Sequence, residues 1–164
     1  MDPRNATDRA RAGFTLAELL IVLVVIAFMA AVAIPQFGAS GEQSAVEGAA
    51  QRLRGAILYA QGRSIGGVRM KVMMDPTNES FSVRDVVTGA VVAHPENASK
   101  TYSFAFTDEE ATADVDLLST TFASNQVAFN DYGVASAGGT ATLRRGDATR
   151  TVWVDAFTGR VGIQ

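Results

Sequence analysis

Few side chains stand in the patterns that catalysis requires. The 164 residues include one histidine, His94, and no cysteine. That removes thiolate nucleophiles, disulfides and Cys- or His-rich zinc sites. His94 precedes Pro95 and reads as a loop or strand-end residue. No nucleophile-elbow pattern surrounds any serine, and Ser-His-Asp chemistry would have to use that one imidazole. The acidic run Asp108, Glu109, Glu110, Asp114 and Asp116 carries oxygen ligands of the kind Ca²⁺ takes, but not at EF-hand spacing, and reads as a solvated loop. Arg144, Arg145, Arg150 and Arg160 oppose only Asp147 and Asp155 near the C-terminus, which makes them candidate phosphate or DNA contacts. An excess of two charges releases few counterions, so this composition argues against nucleic acid as a partner. Arg145-Gly146-Asp147 and the Asn-x-Ser/Thr strings at Asn5, Asn78 and Asn97 are short enough to arise by chance. No enzymatic activity, metal or cofactor is expected.

The remaining candidate is Glu18, because of where it sits. Phe14 to Ile34 is apolar except for Thr15 and Glu18. As a helix this stretch is about 32 Å long, enough to cross the ~30 Å hydrocarbon core of a bilayer. Arg4, Arg9 and Arg11 precede it and no Lys or Arg follows before Arg52. That asymmetry predicts a single pass with the N-terminus in the cytoplasm and the remainder exported. A cleavable secretory signal ending near Ala31-Val32-Ala33 is the competing reading, but its core would be shorter and would have no use for an acid. A plain anchor accounts for the length and not for the carboxylate. An ionisable group in hydrocarbon costs about 2.5–3.5 kcal/mol and needs a partner. A cut between Gly13 and Phe14 would supply one, an α-amino cation one helical turn from Glu18.

The stretch Arg11-Ala12-Gly13-Phe14-Thr15-Leu16-Ala17-Glu18-Leu19-Leu20 resembles the class III signal of type IV pilins and type II secretion pseudopilins. The resemblance implies cleavage after Gly13 by a prepilin peptidase, N-methylation of Phe14, an assembly contact at Glu18 and a helix kink at Pro35. The 13-residue leader, with Asp2 and Asp8, is longer and less basic than many in that family.

Beyond Pro35 the residues Val46, Ala49, Ala50, Leu53, Ile57, Leu58 and Ala60 repeat near the helical period, predicting an amphipathic helix to about Ser64, stopped by Gly66-Gly67. From Val68 the period changes to two. Strands are expected at 68–74, 81–87, 90–93, 102–106, 115–119, 126–129, 140–144, 151–155 and 160–163, with turns at Asp75–Asn78, Thr88-Gly89, Gly138-Gly139, Gly146-Asp147 and Thr158-Gly159. The fold class is α+β, a long N-terminal helix packed on an antiparallel β-sheet head. The segments are 1–13, a cleaved leader; 14–34, transmembrane; 35–66, the exported half of the helix; and 67–164, the head. No internal repeat is evident.

Phe129-Asn130-Asp131-Tyr132-Gly133, Val152-Trp153-Val154 and Thr158-Gly159-Arg160-Val161 resemble the C-terminal half of the H-type minor pseudopilin (GspH/FimT) family. That resemblance implies a non-enzymatic, low-abundance filament subunit. It would be anchored in the inner membrane with a periplasmic head and assembled into a pseudopilus for type II protein secretion. The alternative is a minor type IV pilin acting in pilus priming, DNA uptake or adhesion. Implied partners are the prepilin peptidase, other major and minor pseudopilins or pilins, and secreted cargo or the secretin. Some DNA-binding members carry a further arginine two residues after the Gly-Arg pair, where this chain has Gly162.

Overall fold

A computed structural model describes residues 14–164, with side chains described for all of these but 31–40. The expected leader 1–13, including Gly13 and its arginines, lies outside the described residues. The chain divides into two compact units between Gly38 and Ala39.

Helix α1 runs Leu16–Ile65 and enters both units. In the first unit, every described side chain from Phe14 to Ala30 is exposed. A helix apolar on all sides must be covered by lipid or by other helices. Among the described residues no helix is long and apolar enough to cross a membrane. In this unit the described side chains end at Ala30, about 21 Å from Leu16 at 1.5 Å per residue, and the expected span 14–34 continues into residues whose side chains are not described. The helix backbone continues through Pro35, the expected kink, and Gly38.

In the second unit α1 buries one stripe: Val46, Ala49, Ala50, Leu53, Ala56, Ile57 and Ala60 are fully inaccessible. Four of those are alanines, which let the strands approach the helix axis closely. Leu58, expected in the stripe, is 38% exposed, because it lies about 100° around the axis from Ile57. The helix ends one residue beyond Ser64, and Gly67 takes the left-handed φ of 85° that releases the chain. Ser64 ties the two elements together: its hydroxyl donates to the Ala60 carbonyl at 2.9 Å and accepts the Met70 N–H at 2.9 Å.

Two four-stranded antiparallel sheets complete the core. The strands are β1 (Met70–Asp75), β2 (Ser80–Asp85), β3 (Ala93–His94), β4 (Asn97–Thr101), β5 (Ser103–Ala105), β6 (Asp116–Thr120), β7 (Gln126–Ala128), β8 (Gly139–Arg145), β9 (Ala148–Val154) and β10 (Val161–Ile163). One sheet has the order β5-β2-β1-β7 and the other β10-β9-β8-β6, while β3 and β4 form a small separate ladder. Alternation is clean where predicted: Met70, Val72 and Met74 of β1 face inward, as do Phe81 and Val83 of β2. These join Leu117, Val127, Leu143, Val152, Val154 and the helix stripe in one hydrophobic cluster.

Three expectations change. Residues 90–93 are not a full strand; Val91 makes an isolated bridge to Arg84 before β3. Gly139 opens β8 rather than sitting in a turn. Strand β4 was not expected, since its five residues are all exposed and carry no apolar alternation to reveal it.

Candidate assembly and docking surfaces

Glu18 sits in the first turn of α1, and its carboxylate is already engaged. Oε2 accepts the Thr15 N–H at 2.9 Å and the Thr15 hydroxyl at 3.0 Å, while the Glu18 N–H donates to Thr15 Oγ1 at 3.2 Å. This is a reciprocal capping box, with Thr15 as N-cap and Glu18 three residues on. The charge-pair reading of Glu18 missed it, although Thr-x-x-Glu ahead of an apolar run is the sequence signature of such a box. Phe14 lies immediately before this cap and is 83% exposed. The Gly13 side of the expected cut lies outside the described residues.

The arginines expected as a basic patch are distributed among acids from elsewhere in the chain. Arg144 lies 3.5 Å from Asp116 and Arg145 lies 3.6 Å from Asp114. Arg150 Nε donates to Glu47 Oε2 on α1 at 2.8 Å. Arg144 and Arg145, being successive in β8, point to opposite faces. Of these four arginines, Arg160, in the turn before β10, is exposed and enters none of these ion pairs. Three of the five acids of the acidic run enter such pairings: Asp114, Asp116 and Glu109, the last bound to Arg52, whose guanidinium also stacks over Phe104 at 4.6 Å. The Arg150 hydrogen bond lowers the Glu47 carboxyl from its ordinary pKa, with help from Gln51, and Arg52 does the same for Glu109. Glu79 moves the other way, raised by burial and then by the charge of Asp116. Among the described residues no cluster of His, Asp and Glu is arranged to hold a metal ion.

The glycine at position 162 has a steric reason. A Cβ at that position would overlap the Trp153 indole, which covers the glycine across the β9–β10 pair. His94 is structural: its ring packs 4.7 Å from Tyr102, and Nδ1 accepts the Glu96 N–H.

At the far end of the head, Gln61 holds two loops. Its Nε2 donates to the Gly133 carbonyl at 2.8 Å and to the Gly159 carbonyl at 3.0 Å. Both glycines are required: each has positive φ, and a Cβ on Gly133 would come within 2.8 Å of Ile65 while one on Gly159 would come within 2.7 Å of the Gly133 oxygen.

Residues 8–34 match the prokaryotic N-terminal methylation motif. Comparison with curated proteins finds no match. Among solved structures, the type IV minor pilin FimU of Pseudomonas aeruginosa is similar, with a TM-score of 0.53 and 14% identity over 72% of this chain and 91% of that one. The minor pseudopilin EpsH of the Vibrio cholerae type 2 secretion system is similar too, with a TM-score of 0.56 and 13% identity over 73% of this chain and 95% of that one. The chain thus joins the N-terminal methylation motif of prepilin-like proteins to a long helix packed on antiparallel sheets, the fold of pilin and pseudopilin subunits.

Proposed function

We propose that this protein is a minor pseudopilin, a low-abundance structural subunit of a type II secretion pseudopilus. Its role is assembly rather than turnover. The observation that carries this reading is the methylation motif over residues 8–34 on a helix whose apolar side chains are exposed all round, ahead of a pilin-like head. A prepilin peptidase cuts after Gly13, and Phe14 becomes the methylated N-terminus. The Phe14–Ile34 segment stores the subunit in the inner membrane with its head in the periplasm. Lateral packing with other pilins or pseudopilins then extracts it into the filament. Glu18 joins the neighbouring subunit's α-amino group, exchanging its cap on Thr15 for a charge-assisted contact that sets axial register.

A minor type IV pilin is the second reading, favoured by the comparable likeness to FimU. DNA uptake within that reading is weakened by the ion pairs of Arg144, Arg145 and Arg150 and by Gly162. Mass spectrometry of the mature N-terminus tests the common part: an N-methylated Phe14 is expected, and a chain starting near Ile34 or retaining residues 1–13 refutes it. Deleting the protein then separates the two systems. Loss of protein secretion with surface pili intact supports the pseudopilus, and loss of pili with secretion intact overturns it.

A further inference from the structure

The outward face of the second sheet carries a flat tryptophan beside a row of hydroxyls. Ala141, Leu143, Val152 and Val154 are buried on the inner face, so the alternate residues of β8 and β9 point outward. Strand pairing sets these in rows across the sheet. Gly162, Trp153 and Thr140 stand opposite one another on β10, β9 and β8, and Thr151, Thr142 and Ser119 do so on β9, β8 and β6. The second row thus presents three hydroxyls on neighbouring strands whose backbones are about 4.8 Å apart.

Trp153 lies down on β10 because position 162 has no side chain. A Cβ there would overlap Cζ2, Cε2 and Nε1 of the indole, so one ring face rests on the Gly162 backbone. Trp153 is half-buried, which leaves the opposite face toward solvent. Among the described residues nothing accepts a hydrogen bond from its Nε1–H, and no buried polar side-chain atom lacks a partner. The indole donor therefore also reaches solvent.

Formal charges stand only at the two ends of this face. Beyond the Trp153 row, Arg160 pairs with Asp155 through the backbone and its charge acts on the Asp155 carboxyl. Beyond the hydroxyl row, Arg144 lies 3.5 Å from Asp116, whose charge also reaches Glu79, and Asp147 follows in the β8–β9 turn. Neither row between them contains an ionisable side chain. A phosphate would meet only cations that stand beside acids. A protein partner would meet Trp153 and, two strands away in the β6 bulge, Leu118, rather than a contiguous apolar core.

We propose that this face binds a neutral polysaccharide, a chain of β-linked hexopyranoses lying across the strands. The polarised C–H bonds of a pyranose face match the negative face of the indole. Its hydroxyls, each both donor and acceptor, match Thr142, Thr151, Ser119 and the indole N–H. A β-linked chain is an extended ribbon that can follow a sheet over several rings, whereas its α-linked isomer coils away. No residue of the face belongs to the Glu18 contact, so this proposal and the proposed function fail independently.

Trp153 is the sole tryptophan, so its emission reads binding directly. The test titrates the full chain in phospholipid vesicles with cellotetraose and with its α-linked isomer maltotetraose. Expected is a saturable change in emission with cellotetraose at millimolar concentration or below, and an affinity about tenfold lower or more for maltotetraose. Thr142→Val with Thr151→Val keeps side-chain shape and strand preference and should weaken cellotetraose binding about tenfold. Ser119→Ala, an exposed change on the edge strand, should weaken it about threefold, and thermal melts identify the folded variants. No saturable change up to about 10 mM, equal affinity for the two sugars, a response to single-stranded DNA and not to cellotetraose, or a folded variant that binds cellotetraose as the parent does would each overturn the proposal.

Discussion

Three aspartates in the head act as local clamps. Asp75, Asp85 and Asp155 all have carboxyl pKa values below the ordinary 3.8. The causes are the Asn78 side-chain amide at Asp75, the Thr88 N–H at Asp85 and the Thr158 hydroxyl at Asp155. A carboxyl depressed in the folded state contributes stability that is fully present above its unfolded pKa and lost as pH falls through the folded value. The thermal midpoint should therefore hold from pH 7 to about 5 and decline below about 4. Circular dichroism melts across that range check this, and Asp85→Asn with Asp155→Asn should flatten the acid decline. Side chains at this level were partly legible. Turn residues at 75–78 and 88–89 were readable from their chemistry, whereas the reach of Asp116 to Arg144, over a cross-strand pairing, was not.

Gln61 shows how α1 organises what the strands leave loose. It lies on the helix one turn before Ile65 and supplies two hydrogen bonds to loops distant in sequence. Removing it leaves two part-buried carbonyls without their donor, so Gln61→Ala should cost about 1–3 kcal/mol. The 130–134 and 155–159 amides should lose protection together, which hydrogen exchange measures directly. No periodicity marks Gln61: a single polar residue beside the apolar stripe looks like solvent-facing surface until the loops return to it. The stripe itself was readable, because burying one helix face on a sheet demands the 3.6-residue period, and only Leu58 departs from it. The strands of β1 and β2 were readable for the parallel reason. Strand β4 has neither face buried, so no pattern exists to betray it.

For the whole molecule, the decisive test of the proposed cleavage and assembly is whether Glu18 serves as an anion or only as a cap. Glutamine can also serve in a capping box but cannot pair with an ammonium ion as an anion. Glu18→Gln and Glu18→Val should both insert into the membrane, and both should be depleted from filaments, by about tenfold if the pair is worth ~1.4 kcal/mol. Quantitative immunoblotting of sheared or purified filaments reads the ratio. Normal incorporation of Glu18→Gln with loss of Glu18→Val would assign the residue to capping alone. The head, with its own continuous core from Ala45 to Val154, should melt identically in all three proteins.

The amino-acid sequence alone determined the division of the chain: an apolar stretch with one acid, an amphipathic continuation and a run of short strands. Each of those follows from local composition and periodicity, which burial against lipid, sheet or helix requires directly. Only the tertiary structure decided that Arg144 and Arg145 meet Asp116 and Asp114, that Trp153 excludes a side chain at 162, and that the 130–134 and 155–159 loops meet at Gln61. Those facts depend on which strands become neighbours, and strand order in two sheets joined by one helix is set by the packing of the entire core rather than by any local segment.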